Sequence, residues 1–212
     1  MVKRTHIRGK IMIDREPRGE YGRFQLYGLS VICFLILFSG GCSSSTLKQY
    51  KRPDYDIKTV KTVAVLPFRN LTSDNYADEK VRSKVSIELL SRDVNIIEPG
   101  EIISVLRELK IKSVDSIRNK DMVSIGSMLK VDAVLTGSVE AFGISRGITA
   151  SYPEVTVHLI MFDTITGHIV WSNSHTSGGA SFWTRHFGAE GSTLDNVSER
   201  VVEEAFDALY GR

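Results

Sequence analysis

A short apolar run near the N-terminus limits most strongly what this chain can fold into. Residues 29–38 read LSVICFLILF and form the one strongly apolar stretch of the sequence. A membrane-spanning helix needs roughly 20 such residues, so this run is too short to cross a bilayer comfortably. Basic residues precede it and Ser39, Gly40 and Gly41 follow it, which is the layout of a secretory signal ending in small residues. We therefore expect residues 1–41 to be removed before the protein works.

Cys42 stands directly after these small residues. The segment resembles the bacterial lipoprotein signal, which implies that the Cys42 thiol carries diacylglycerol and that the new amino terminus is acylated, for example with palmitate. The segment departs from the usual pattern at Ser39, where Leu is preferred, and in its long basic region. A true start at Met12 would shorten that region. The alternative interpretation is an uncleaved signal anchor.

Removal of the N-terminal segment changes both the charge balance and the cysteine content. The chain has 27 Lys+Arg and 25 Asp+Glu, and residues 1–41 hold seven and three of these, which leaves 20 against 22. Without a basic excess, composition gives no reason to expect nucleic acid as a partner. Since Cys33 lies in the removed segment and Cys42 would carry lipid, the remaining domain has no thiol for a disulfide, a metal site or a nucleophile.

Residues 42–59 begin with CSSST and stay polar, so we predict a lipidated tether there, followed by a single domain over residues 60–212. Two or three acyl chains, at about 0.8 kcal/mol per buried methylene, make an effectively permanent anchor. The sequence thus predicts a domain that works at a membrane surface.

Within the domain, strand patterns and helix patterns alternate at first and strands cluster later. A β-branched run closed by Pro67 predicts a strand buried on both faces, and Ala77, Val81, Val85 and Leu89 recur every four residues as in an amphipathic helix. Residues 73–75 offer N-cap side chains for that helix. The remaining predicted elements are a short strand at 94–97, helices marked by Ile102, Ile103, Leu106 and Leu109 and by Met122, Ile125 and Leu129, a strand at 131–139, a hairpin at 155–171 turning at Gly167, and a last helix capped by Thr193. This order predicts a three-layer α/β sandwich with a mixed sheet.

Three blocks carry a family resemblance: TVAVLPF at 62–68, VDAVLTGSV at 131–139 and FDTITGHIVWS at 162–172. Together they resemble the CsgG/LpoB/PelC-like bacterial envelope lipoproteins over about residues 60–209. The resemblance implies an anticodon-binding-domain-like α/β fold and a lipid-anchored protein of the outer membrane that faces the periplasm. Outer-membrane sorting is also implied by Ser43, because aspartate at that position retains lipoproteins in the inner membrane of enteric bacteria.

The residues give no pattern typical of an enzyme, a metal site or a bound cofactor. Gly178 and Gly179 lack the context of a phosphate loop, and no Gly-x-Ser-x-Gly elbow is present. We expect His158 on a sheet face and the other histidines in turns, and none of the four has the spacing of a zinc site. These four are His158, His168, His175 and His186, and Asp132 and Asp163 lie in separate strand-end motifs.

An aromatic cluster stands in the glycine-rich segment 175–192. Phe182, Trp183 and Phe187 lie beside Arg185, a combination that suits a protein interface or insertion at the level of lipid headgroups. A loop folded back to cap the sheet is the alternative. In the channel-forming relative, insertions at comparable places form membrane hairpins, but the predicted loops at 143–154 and 175–192 are too short and too polar for two spanning strands each.

The function that we predict from the sequence is a non-enzymatic, lipid-anchored periplasmic scaffold or accessory component. It would bind envelope proteins, among them copies of itself in a homo-oligomer, in an export or cell-wall assembly machine. The alternatives are a subunit of a CsgG-type outer-membrane secretion channel and an activator of a penicillin-binding protein.

Acylation of Cys42 is directly testable by metabolic labelling. We expect radiolabelled palmitate to enter the wild-type chain and to be absent from the Cys42→Ser variant, because that thiol matches a lipoprotein processing site. The Ser43→Ala variant, which leaves the cysteine in place, serves as the control. Undiminished label in Cys42→Ser would show the assignment to be wrong.

Overall fold

A computed structural model describes residues 46–146, 151–178 and 192–211, which form seven strands and four α-helices. Two short 3-10 helices, Ile57–Thr59 and Val114–Ser116, lie between them. In chain order the elements are β1 (Thr46–Lys51), β2 (Thr62–Val65), β3 (Arg69–Asn70), α1 (Ala77–Ser91), β4 (Asn95–Ile96), α2 (Pro99–Glu108), α3 (Asn119–Leu129), β5 (Ala133–Arg146), β6 (Ser151–Asp163), β7 (Ile169–Gly178) and α4 (Leu194–Tyr210).

The strands form one mixed sheet, as the sequence predicted. Their order is β1-β7-β6-β5-β2-β4, and β3 also pairs with β5. Strands β2, β3 and β4 run parallel to their neighbours in one half of the sheet. In the other half, β5, β6, β7 and β1 are antiparallel. The parallel half is built by helical crossovers and the antiparallel half by hairpin-like returns, so β5 belongs to both.

One face of the sheet is covered by α1 and α4. The positions predicted for α1 from its four-residue spacing are all buried, and those of α4 are buried along one stripe. Trp171 of β7 fills the centre of this layer, with its ring 5.5 Å from the ring of Phe206 in α4. The buried stripe of α4 comprises Val197, Val201, Val202, Ala205, Phe206 and Leu209.

Helices α2 and α3 cover the opposite face, but only over part of the sheet. They pack against Ala64 and Leu66 of the β2 segment and against Val134 and Phe162. Val63–Leu66 are therefore buried from both sides, as the β-branched run at 60–68 predicted. Among the residues described, no helix is long and apolar enough to cross a membrane.

Two glycines occupy positions where a Cβ atom would collide with the neighbouring backbone. A Cβ at Gly137 would lie 2.3 Å from the carbonyl oxygen of His158 on the paired strand, which explains why β5 carries glycine there. Gly167 has φ +69 in the turn between β6 and β7, and its backbone N–H donates to the carbonyl of Asp163. Gly167 thus occupies the hairpin turn where the sequence predicted it.

A buried arginine joins the C-terminal parts of α1 and α4. The side chain of Arg92 is 5% exposed, and its Nη2 lies 2.7 Å from the Asp207 carboxylate and 2.5 Å from that of Glu88. Its guanidinium also lies 5.2 Å from the ring centre of Tyr210. Since a buried charge is costly unless paired, this arrangement fixes the two helix ends relative to each other.

The structure differs from the sequence prediction at the tether. Residues 42–59 were expected to be a polar linker, but Thr46–Lys51 pair along β7 as an edge strand and Ile57 is buried in the core. The polar sequence is compatible with a strand because an edge strand exposes much of its surface. Only residues 43–45 separate Cys42 from the first strand.

Three smaller expectations are also corrected. The N-cap residue of α1 is Tyr76, whose side chain does not cap the helix, rather than a residue of 73–75. His175 lies in strand β7 instead of a turn, because β7 continues to Gly178. Most of segment 143–154 is strand rather than loop, since β5 and β6 extend as a paired ribbon to Arg146 and Ser151.

Truncation of Trp171 tests the position of this core. We expect Trp171→Ala to lower the free energy of unfolding by about 3–5 kcal/mol, because the side chain is fully buried. In a domain of this size that corresponds to a Tm lower by about 10 °C. The control is Ile165→Ala, since Ile165 is 85% exposed and should change the Tm little. Equal Tm values for the two variants would contradict the packing described here.

Candidate interaction surface

Four strands present a face that the described helices leave open. Helix α4 packs against β6 and β7 from one side, while α2 and α3 cover the other side only as far as Phe162 and the partly buried Ile160. Beyond Ile160, this second face continues over β5, β6, β7 and β1. Its side chains are polar, and most of them are small; they are Thr136, Ser138, Thr156, His158, Ser172, Ser174, Thr176, Lys48 and Tyr50. We call this set the open face.

Cross-strand hydrogen bonds order the side chains of the open face. The hydroxyls of Thr156 and Thr176 are 3.0 Å apart, and His158 Nε2 is 3.0 Å from Ser172 Oγ. Tyr50, on the edge strand, is 48% exposed. The result is a flat, hydroxyl-rich surface whose donors and acceptors are held in place across strands.

The pairing of His158 with Ser172 was not foreseen from the sequence. A serine is activated as a nucleophile when a histidine takes its proton and a third group orients that histidine. In the part of the chain that is described, no carboxylate hydrogen-bonds the other ring nitrogen of His158. Both side chains lie on the open face, where their hydrogen bond joins β6 to β7.

A second polar cluster is buried between β7 and α4. His175 is 1% exposed, and its Nε2 lies 2.5 Å from the carboxylate of Glu204. One row further along β7, Arg200 Nε donates to Ser177 Oγ at 2.9 Å. Asn173 is fully buried in the same row of inward-facing residues. These contacts set the register of α4 on the sheet.

Two carboxylates at strand ends accept hydrogen bonds from nearby backbone N–H groups. Asp132 accepts from the backbone N–H groups of Lys61 and Thr62, at 2.8 and 2.9 Å. Asp163 accepts from the backbone N–H and the hydroxyl of Thr166 in the hairpin turn. Burial, followed by the nearby charges of Asp163 and Asp132, raises the pKa of Tyr55 to about 12. These carboxylates therefore close turns and strand ends.

A shallow depression lies at the carboxyl ends of β2 and β4. It has a volume of about 280 Å³, and its lining includes Val65, Arg82, Ser86, Ile96 and Pro99. Open α/β sheets commonly bind ligands at such places. Here the Ser86 hydroxyl donates to the carbonyl of Arg82 within the same helix.

The predicted site residues lie outside the described residues. Cys42 precedes β1, and Phe182, Trp183, Arg185 and Phe187 fall in 179–191. The flanks of that segment are described: Gly178 ends β7, and Thr193 caps α4 by accepting from the N–H of Asn196. Among the described residues, no group of three His, Cys, Asp or Glu side chains could hold a metal ion.

The sheet and the helices that cover it identify the fold class of this chain. The chain is a three-layer α/β sandwich in which the polar clusters described above order strands and helices. No protein-family model matches the sequence, and no curated protein sequence matches it significantly.

Solved structures of bacterial proteins resemble this fold. A variant of PelC from Paraburkholderia phytofirmans, solved as a dodecamer, has a TM-score of 0.53 and 22% identity, and the match covers 79% of this chain and 99% of that chain. The lipoprotein GNA1162 from Neisseria meningitidis has a TM-score of 0.52 and 16% identity, covering 72% and 99%. The C-terminal domain of LpoB from Salmonella enterica matches at a TM-score of 0.42 and 15% identity, over 55% of this chain and 82% of that chain. The chain has the PelC-like envelope lipoprotein fold, so the resemblance predicted from the sequence is confirmed at the level of the fold.

The contact between His175 and Glu204 predicts a measurable loss of stability. We expect Glu204→Ala to lower the free energy of unfolding by about 1–3 kcal/mol, because it leaves a buried ring nitrogen without its partner. Glu203→Ala is the matched control, since the adjacent Glu203 is exposed on the same helix. Denaturant unfolding of both variants gives the comparison, and equal stabilities would show that the buried contact does not hold α4 to the sheet.

Proposed function

We propose that this protein is a lipid-anchored lipoprotein of the bacterial envelope that acts, without catalysis, as a scaffold or accessory component of an export or cell-wall assembly machine. The observation that carries the proposal is the PelC-like fold following a lipoprotein-type Cys42. The location that goes with it is the outer membrane, with the domain in the periplasm. Its partners are the membrane, other envelope proteins and copies of itself.

A non-enzymatic role is supported by the way the described residues use their reactive side chains. Asp132 and Asp163 close backbone turns, His175 is buried against Glu204, and His158 is bonded to a serine on a flat surface. A catalytic site needs such groups to converge on a place that a substrate can occupy. The contacts of these four residues are used within the fold.

Self-association is supported by the assembly of the structural neighbour. The PelC structures with this fold are dodecamers. We propose that this chain also forms a homo-oligomer and that Phe182, Trp183, Arg185 and Phe187 contribute to contacts with partners or lipid. Aromatic and arginine side chains are enriched in the energetically important parts of protein interfaces.

The experiment that tests this proposal combines oligomeric state with stability. The wild-type lipoprotein in detergent should have a mass several times that of one chain by light scattering. Replacement of Phe182, Trp183 and Phe187 by Ala should reduce that mass or the binding to liposomes, while the Tm changes by no more than a few degrees, because an exposed contact contributes little to folding. The control variant is Ile165→Ala, which removes an exposed apolar side chain elsewhere.

Each result decides between the interpretations. A triple variant that melts far below the wild type would show that the aromatic residues form a structural cap. A monomeric wild-type protein would contradict the homo-oligomer, and activation of a penicillin-binding protein by that monomer would favour the activator. Ion conductance across planar bilayers would favour a secretion channel.

A further inference from the structure

The first strand of the domain begins almost at the predicted lipid anchor. Four residue steps separate Cys42 from Thr46, the first residue of β1. A fully extended chain covers at most about 3.6 Å per residue, so these two residues can be no more than about 14 Å apart. If Cys42 is acylated, as the proposed function requires, Thr46 is held within that distance of the bilayer surface.

The strand register shows which end of the sheet lies near the anchor. Thr46 pairs with Thr176, which pairs with Thr156, and Thr156 pairs with Ala141. Strand β6 begins at Ser151, and β1 runs parallel to it two strands away. The β5–β6 end of the sheet therefore points in the same direction as the start of β1.

Strands β5 and β6 extend past this row as an arm whose base is flanked by β7 up to Gly178, the partner of Glu154, and whose last three residue pairs are two-stranded. We define the arm as residues 142–146 and 151–155, which are paired from Phe142 with Val155 to Arg146 with Ser151. From Thr156 to Ser151 there are five residue steps, which at about 3.4 Å per residue is about 17 Å. The arm is thus longer than the linker from Cys42 to Thr46 can be, and it reaches the bilayer surface whenever the strands stand close to the membrane normal.

The side chains of the arm suit a lipid headgroup layer. Ile144 is 60% exposed, and Arg146, on the same side of the ribbon, is exposed at the end of β5. Tyr152 lies on the other side, opposite Ser145. Tyrosine is enriched at membrane interfaces, and arginine places its aliphatic stem in apolar surroundings while the guanidinium meets phosphates. The ribbon is too short to cross the bilayer, so its contact is with the surface layer.

The base of the arm is braced against the domain. Phe142 is buried in the core, and the Lys80 ammonium lies 5.1 Å from the centre of its ring. Lys80 also pairs with Asp74 at 2.8 Å. Because Lys80 of α1 contacts Phe142 at the base of the arm, the arm keeps a fixed direction relative to the rest of the domain.

We propose that the arm rests on the phospholipid headgroups of the membrane that holds the anchor, and that the short linker imposes this contact. The proposal rests on acylation of Cys42. The occupant of the arm surface is the headgroup layer, and a second copy of the chain is the competing occupant that the experiment must distinguish.

The experiment uses the lipidated full-length mature protein in vesicles of phosphatidylethanolamine and phosphatidylglycerol. After acylation of Cys42 and loss of Cys33, one introduced cysteine is the single reactive thiol. Ile144→Cys carries an environment-sensitive fluorophore, and Ile165→Cys is the matched control because Ile165 is exposed in the turn at the opposite end of β6. Mass spectrometry of each sample verifies the acyl chains.

We expect the emission from position 144 to shift to the blue and to be quenched by headgroup-labelled lipid several-fold more strongly than emission from position 165. Insertion of a long Gly/Ser segment between Ser45 and Thr46 should reduce that quenching, because the domain could then stand away from the bilayer.

Three results would overturn the proposal. In verified lipoprotein, equal quenching at positions 144 and 165 would show that the arm does not meet the lipid, while leaving the anchor intact. A blue shift that labelled lipid does not quench would mean that a second copy covers the arm. Quenching unchanged by the insertion would show that the short linker is not the cause. A protein that carries no acyl chain would instead contradict the proposed function itself.

Discussion

The pairing of β5 with β2 on one side and β6 on the other joins the two halves of the sheet. Parallel pairing with β2 requires helical crossovers, and these place α1 on one face and α2 and α3 on the other. Antiparallel pairing with β6 starts the series that ends at the edge strand β1. Gly137 permits this second pairing, because a side chain there would collide with the backbone of β6.

As a result, the two halves of the sheet bury different kinds of side chain. In the parallel half both faces are covered, so Val63, Ala64 and Val65 of β2 are all apolar and buried, without alternation. In the antiparallel half one face is covered by α4, and the other carries hydroxyls and one histidine bonded across strands. Polar residues also occur on the covered side, where His175 and Ser177 find partners on α4. An apolar core and a polar open face thus arise from one sheet with partial helical cover.

The elements that the sequence predicted well are those with a strong period or a specific turn residue. Helix α1 shows all four predicted buried positions, Gly167 lies in the predicted hairpin turn, and Thr193 caps α4. These three features are local, so a local sequence pattern is enough to find them. The mixed sheet followed from the order of the elements, since helices alternate with early strands and late strands follow one another.

The features that were not predicted from the sequence lack such a local signal. Strand β1 reads TLKQYK and shows no apolar alternation, because an edge strand can expose much of its surface. The ends of β5 and β6 contain Gly143 and Pro153, which are typical of loops. These strand ends nevertheless pair with each other, and their last three residue pairs lie beyond the end of β7 at Gly178. The contact of His175 with Glu204 joins residues 29 apart, and spacing alone does not show that β7 faces α4.

The position of β1 also determines the order in which the domain can be completed. Its strand partner is β7, and the Lys51 ammonium donates to the carbonyl of Leu209, which is 158 residues later in the chain. Contacts between residues so far apart form late in folding, because the loop that they close costs more entropy than local structure does. The strand nearest the predicted anchor is therefore the first to emerge during synthesis and the last to find its place. Until β7 has joined the sheet, the predicted acylated end of the chain has no strand partner, and pairing of β1 with β7 then fixes the domain close to that end.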